Sequence, residues 1–241
     1  MVPQKQIDEF VKRLRESSGD NLQSVILYGS AASGEFHPEF SNVNLMCILK
    51  DTSFPALNRI APAVQWWVRQ KHHPPLVITR EELERSTDVF SIECLDMQQR
   101  HKVLFGNDPL TGLKIPMHLH RAQLEYELRE KLILLRERLL VAGDRKKAIW
   151  ELMLASVSSF CTLFRHALIA IGASVAASKR ETVRVLASQM QFDGSVFHEL
   201  LDVREGKAER SQFDVKALAA KYLDAIQAVT AAVDRMLDSP K

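Results

Sequence analysis

Cysteine is scarce and scattered: Cys47, Cys94 and Cys161 are the only three in 241 residues. Their spacing makes neither a disulfide framework nor a zinc pattern. Each sits in an apolar run, which suits a buried thiol in a reducing compartment. Charge of one sign is also missing. The 32 basic and 30 acidic residues leave a net charge of +2, no electrostatic footprint for nucleic acid. No apolar run is long enough for a bilayer. The longest, Leu152 to Phe164, covers 13 residues, where about 20 are needed, so it reads as a buried helix and no membrane is expected. The opening MVPQKQIDEFVKRLRES lacks the apolar centre of a signal peptide and has the pattern of an amphipathic helix. A cytoplasmic protein is the expectation. Apolar residues at 46% and charged residues at 26% exclude a disordered tail or a fibre.

Proline and glycine are unevenly spread. Eight of nine prolines and five of nine glycines lie at or before Pro116, punctuating short elements. Strand patterns occur at Ser24–Tyr28, Val43–Leu49 and Pro75–Thr79, with a further run from Val89 continuing in pieces to Phe105. Ala56–Lys71 has helical spacing, with Leu57, Ile60, Val64 and Trp67/Val68 on one face. Beyond Pro116 the period is helical throughout. Leu124, Leu128, Leu132, Leu135 and Leu139 stripe a helix over Leu119–Val141, and Gly143 is its stop. Ala148–Ile171 is apolar nearly all round, as the central helix of a bundle would be. Ser178 with Glu181 matches a capping box. Two further helices are expected at about 194–203 and 214–237, with Asp193 or Ser195 capping the first. The fold class is an α/β (α+β) domain over residues 1–115, followed by an all-α antiparallel helical bundle over 116–241.

The stretch that carries chemistry is LYGSAASGEFHPEFSNVNLMCIL, residues 27–49. A strand runs into Gly29-Ser30, a short turn follows, and a second strand opens with Asn42-Val43-Asn44. Gly29 permits close backbone approach. The Ser30 hydroxyl and the free N–H groups of a helix start suit a phosphate oxygen. Strand alternation points residues 42 and 44 the same way, toward whatever occupies the Gly-Ser turn.

This stretch resembles the nucleotidyltransferase superfamily of polymerase β and kanamycin nucleotidyltransferase, whose small members read YGSAARGE…SDIDLLV. The likeness covers roughly residues 20–115. It implies a mixed sheet with helices, a helical second domain, and ATP or another nucleoside triphosphate as ligand. Gly29, Ser30 and Ser33 would lie at the nucleotide phosphates. In an active member two aspartates hold Mg²⁺ and a third carboxylate on a later strand completes the site. Here Asn42 and Asn44 occupy the aspartate positions, and Ser33 stands where the pattern has arginine. Glu93 is the candidate catalytic third carboxylate on an expected strand, with Asp96 and Asp88 as runners-up. Two charges are missing. Attraction between charges about 4 Å apart is worth about 4 kcal/mol at an effective dielectric near 20, so the metal site is expected to be degenerate.

Other constellations carry less. His72-His73 are adjacent on an extended segment and point to opposite faces. His118 and His120 lack two further ligands at zinc spacing. Arg121, Arg129, Arg136 and Arg138 alternate with glutamates as on a solvated face. Glu125 and Glu127 on that helix are candidates for a general base, because relatives use the equivalent helix to wall the acceptor cleft. The Arg-to-His spacing of the HEPN ribonucleases is missing after Arg165, Arg184, Arg204 and Arg210. Trp66, Trp67 and Trp150 read as packing residues. The expected function is a nucleotide-binding or regulatory relative that has lost transfer chemistry. One alternative is an active Mg²⁺-dependent enzyme moving a nucleoside monophosphate from ATP to a small-molecule hydroxyl or a protein. The other is an interaction scaffold whose bundle dimerises or holds a partner.

Overall fold

Strand β1 (Leu22–Tyr28) sits between two neighbours in a four-stranded sheet of order β3-β2-β1-β4. The computed structural model describes residues 2–174 and 178–238, and all four strands lie between Leu22 and Gly106. β1 pairs antiparallel with both β2 (Asn44–Leu49) and β4 (His101–Gly106). β2 pairs parallel with β3 (Leu76–Thr79). A parallel pair needs a crossover, here helix α3 (Phe54–Arg69). Gly106 ends β4 where a Cβ would fall 1.8 Å from the Gln23 carbonyl oxygen, so only glycine lets the two chains pass.

Alternation divides the sheet residues between two faces. Val25, Leu27, Leu45, Cys47 and Leu49 pack with Ile7, Phe10 and Leu14 of α1 (Gln4–Ser18) and with Ile60, Ala63 and Trp67 of α3. Ile26, Met46 and Ile48 face the other way, onto Leu83 of α4 (Arg80–Arg85) and Cys94 and Met97 of α5 (Ser91–Gln99). Burial raises the Cys47 thiol to about 12. At Cys94, burial and then the nearby Glu93 charge raise it to about 11. These two thiols are packing groups.

Two helical details depart from the expected pattern. α3 buries Ala56, Ile60, Ala63 and Trp67, while Leu57 and Val68 are exposed. The core-facing stripe is turned by one position, and small Ala63 packs with α1 residues Ile7, Phe10 and Leu14. The run from Val89 to Phe105 is not strand throughout. Its first part is helix α5, and only His101–Gly106 joins the sheet. The unexpected helix α4 opens at Thr79, whose side chain accepts from the Glu82 N–H while Glu82 accepts from the Thr79 N–H, a complete capping box.

The described residues divide into two compact units between Met117 and His118. The second is all helix: α6 (His120–Ala142), α7 (Lys146–Ala170), α8 (Lys179–Met190), α9 (Ser195–Arg204) and α10 (Val215–Asp238). α6 buries Leu124, Leu128, Leu132 and Leu135, with Leu139 only half-buried. α7 has the length and apolarity of a membrane span, yet 61% of its most apolar window is buried within the unit. That is the burial of a core helix. Arg129 joins α6 to α10 through Asp234 at 2.7 Å. Ser178 caps α8 by accepting from the Glu181 N–H.

Trp67 is fully buried, stacks 4.8 Å from Phe10 and donates its indole N–H to the His73 carbonyl at 2.8 Å. Trp67→Ala is expected to cost about 3–5 kcal/mol, read as a lower denaturant midpoint. Phe54→Ala, at a side chain 79% exposed, should change stability by less than about 0.5 kcal/mol.

Candidate functional site

The site forms where β1 runs out. Register sets Tyr28 opposite Asn44 on one side and His101 on the other, so the three side chains share a sheet face. Tyr28 packs at the margin of the core cluster formed with α4 and α5. Next along the chain, Gly29 takes φ +73° and ψ −151°, a conformation closed to ordinary side chains. A Cβ there would lie 3.0 Å from Asn44 Nδ2. The Asn44 amide therefore rests against the bare Gly29 backbone.

A single helical turn, α2 (Ser30–Ser33), follows. The Gly29 carbonyl accepts from the N–H groups of Ala32 at 3.0 Å and Ser33 at 3.1 Å. The first donors of such a turn, on Ser30 and Ala31, have no acceptor within it. They are the groups an anion would take. Gly29 and Ser30 are half-buried and Ala31 is buried. The Ser33 hydroxyl lies 3.4 Å from the Ser30 carbonyl. Just past the turn, Glu35 pairs with Arg100, Oε2 to Nη1 at 3.5 Å. A cation thus stands beside α2, although Ser33 is not one.

The two asparagines are not equivalent. Asn44 is the first residue of β2 and half-buried, whereas Asn42 is exposed in coil two residues earlier. The strand begins at 44 rather than 42 or 43, because the loop carrying His37 and Ser41 closes on itself. The Ser41 hydroxyl accepts from the His37 N–H at 2.9 Å, and the Ser41 N–H donates to the His37 carbonyl at 2.8 Å.

Glu93 lies on helix α5, not on a strand. The alternation Phe90, Ile92, Cys94 imitates a strand, but Met97 and Cys94 pack together on the sheet at helical spacing. Glu93 is exposed, and its charge reaches the end of β1. Burial first, then the Glu93 carboxylate, pushes the Tyr28 hydroxyl above its ordinary range. Asp96 is half-buried one turn further along α5. Asp88 lies in the turn before α5, its Oδ1 accepting from the Val89 N–H at 2.9 Å. None of the four strands contains Asp or Glu.

The pairing register exposes participants the motif did not mark. His101 bonds Asp108 through Nε2 at 3.1 Å. Asp108 also accepts from the Thr111 hydroxyl at 2.6 Å and the Leu110 N–H at 2.9 Å. Partial burial would raise the Asp108 carboxyl, but these bonds and the neighbouring imidazole outweigh it and hold it at about 2. No local signal links His101 to Tyr28. Only strand pairing does.

The remaining candidates lie apart. His72 stacks on Trp67 at 3.9 Å and bonds Gln6 at 2.7 Å, while His73 is exposed. His118 is exposed, whereas His120 is buried against His166, Nε2 to Nδ1 at 2.9 Å. Glu125 and Glu127 pair along α6 with Arg129 and Lys131, each at 2.6 Å.

Mg²⁺ collects hard, anionic oxygens. The positions that would face it hold one amide against Gly29 and one in exposed coil. Among the described residues no group of three His, Cys, Asp or Glu is placed to hold a metal ion. This donor set does not fit Mg²⁺.

Residues 7–96 match the family model described as a nucleotidyltransferase domain. A solved spectinomycin adenyltransferase, AAD(9) from Enterococcus faecialis with ATP and spectinomycin, shares the fold over 93% of this chain and 99% of its own, with TM-score 0.55 and 14% identity. A toxin–antitoxin solved with AMP-PNP matches 42% of this chain and 74% of its own, with TM-score 0.30 and 17% identity. No curated protein matches.

Replacing Glu93 by Gln removes the second of the two effects that raise Tyr28. The Tyr28 titration, followed by tyrosinate absorbance, should move down toward the ordinary range. An unmoved titration would separate Glu93 from the end of β1.

Proposed function

Starting from a nucleotidyltransferase domain over residues 7–96, we propose that this protein binds a nucleoside triphosphate, ATP first among them, at the Gly29–Ser30 turn. It does so without nucleotidyl transfer, as a nucleotide-binding or regulatory relative of the enzymes that share its fold. The observation that carries this reading is the Asn44 amide on the bare Gly29 backbone, in a sheet whose strands hold no carboxylate.

Each half of the proposal has its own support. For binding, the turn offers the backbone donors of Ser30 and Ala31. The Arg100 guanidinium stands at the following turn, and the adenyltransferase of similar fold was solved with ATP. For the loss of transfer, in-line displacement at a phosphoryl group proceeds almost entirely by positioning and charge stabilisation. Metal ions supply much of that charge, and carboxylates must hold them. Neutral carbonyl oxygens at positions 42 and 44 supply neither charge. Glu93, reaching toward Tyr28 from α5, leaves the anionic ligand count at one. With no transfer, no acceptor is required.

The test is restoration. Asn42→Asp with Asn44→Asp returns two anionic oxygens and should raise Mg²⁺ affinity at least about tenfold by calorimetry. The unmodified protein should transfer no label from radiolabelled ATP to itself or to aminoglycoside-like hydroxyl compounds. Robust Mg²⁺-dependent transfer by the unmodified protein would overturn the reading in favour of an active enzyme. Unchanged metal binding in the double variant would show that positions 42 and 44 do not face the site.

A further inference from the structure

We propose that the outer face of α6 and α7 is a two-fold interface with a second copy of this chain. Large apolar side chains stand in solvent along the last turns of α6. Ile133 is 52% exposed, Leu134 40%, Leu140 83% and Val141 76%. Single exposed apolar residues are ordinary, but Ile133 with Leu140 and Leu134 with Val141 recur about two turns apart on one face of α6, with Glu137 between the pairs. Such a repeated apolar face is of the kind that marks an interaction site. They are not the stripe that packs α6 into the bundle, which runs through Leu124, Leu128, Leu132 and Leu135.

Beside this patch lies a groove of about 590 Å³ between the end of α6 and the start of α7. Val141, Ala148, Leu152 and Ala155 give it an apolar floor. Ala148 and Ala155 are small, so a helix laid across them can approach closely.

The rim identifies the occupant. It carries Glu137 and Arg138 from α6 and Arg145 and Glu151 from the α7 end, two charges of each sign. A partner of one charge sign would meet repulsion at half of them. A second copy meets its own complement, because an isologous interface pairs a patch with itself. Arg145, Ala148 and Glu151 are three residues apart and share one face of α7. Antiparallel packing about a two-fold axis at Ala148 sets each Arg145 against the partner's Glu151. Both groups have capacity for this. The Arg145 guanidinium donates through Nε and Nη2 to the Ala142 and Val141 carbonyls, and its Nη1 donors are not used in these bonds. Among the described residues, Glu151 has a single long, exposed contact, to Lys147 at 3.9 Å.

The experiment is sedimentation equilibrium with light scattering on the full chain, which needs no ligand. The expected mass is twice 27.3 kDa. Leu140→Glu with Val141→Glu should return the monomer with unchanged helix content by circular dichroism, since neither side chain supports the fold. Arg145→Glu and Glu151→Arg should each weaken association about tenfold or more, and combining them should restore it. A wild-type monomer throughout the concentration range would overturn the proposal and assign the patch to a different partner. A dimer indifferent to charges at 140 and 141 would also overturn it, as would a double charge reversal no tighter than either single one.

Discussion

Tyr28, Asn44 and His101, the centre of the candidate site, are placed by the antiparallel pairing of β1 with both neighbours. That register brings Asn44 and His101 to the two sides of Tyr28, and it lays the Asn44 amide on Gly29. A slip of one residue would turn Tyr28 and its partners to the opposite face. The register is secured from both faces at once. Val25, Leu27, Leu45 and Cys47 are locked against α1 and α3, and Ile26, Met46 and Ile48 against α4 and α5. Packing on both faces therefore fixes the backbone positions from which the site's side chains project.

Charge decides what those side chains can do. The fold presents backbone donors for an anion at the Gly29–Ser30 turn, and Arg100 beside the next turn is paired with Glu35. What the strands do not present is a carboxylate. The acids nearby are otherwise engaged. Asp108 is committed to His101, Thr111 and Leu110, and Glu35 to Arg100. Glu93 approaches from a helix.

The motif between residues 27 and 49 made the first two strands and the intervening turn legible, because Gly-Ser punctuates two strongly apolar runs. The long helices of the second unit were legible from leucines at three- and four-residue spacing. Helix α5 was not. Nine residues are too few for the helical period to declare itself, and Phe90, Ile92 and Cys94 alternate like a strand. Only packing against Ile26 and Met46, distant in sequence, selects the helix. The α3 stripe was misplaced by one position because alanines at 56 and 63 are weaker hydrophobic markers than Leu57 and Val68, yet are the ones buried. His101 and Asp108 were invisible to sequence reasoning, since nothing local connects them to Tyr28.

In the proposed function, this nucleotidyltransferase fold holds a nucleoside triphosphate by the backbone donors of the Gly29–Ser30 turn and not by metal. The most direct measurement is a calorimetric titration of the unmodified protein with ATP, once in excess chelator and once in excess Mg²⁺. Saturable binding in chelator that Mg²⁺ does not strengthen is the expected result. Binding that appears only with Mg²⁺, or no binding under either condition, would contradict it.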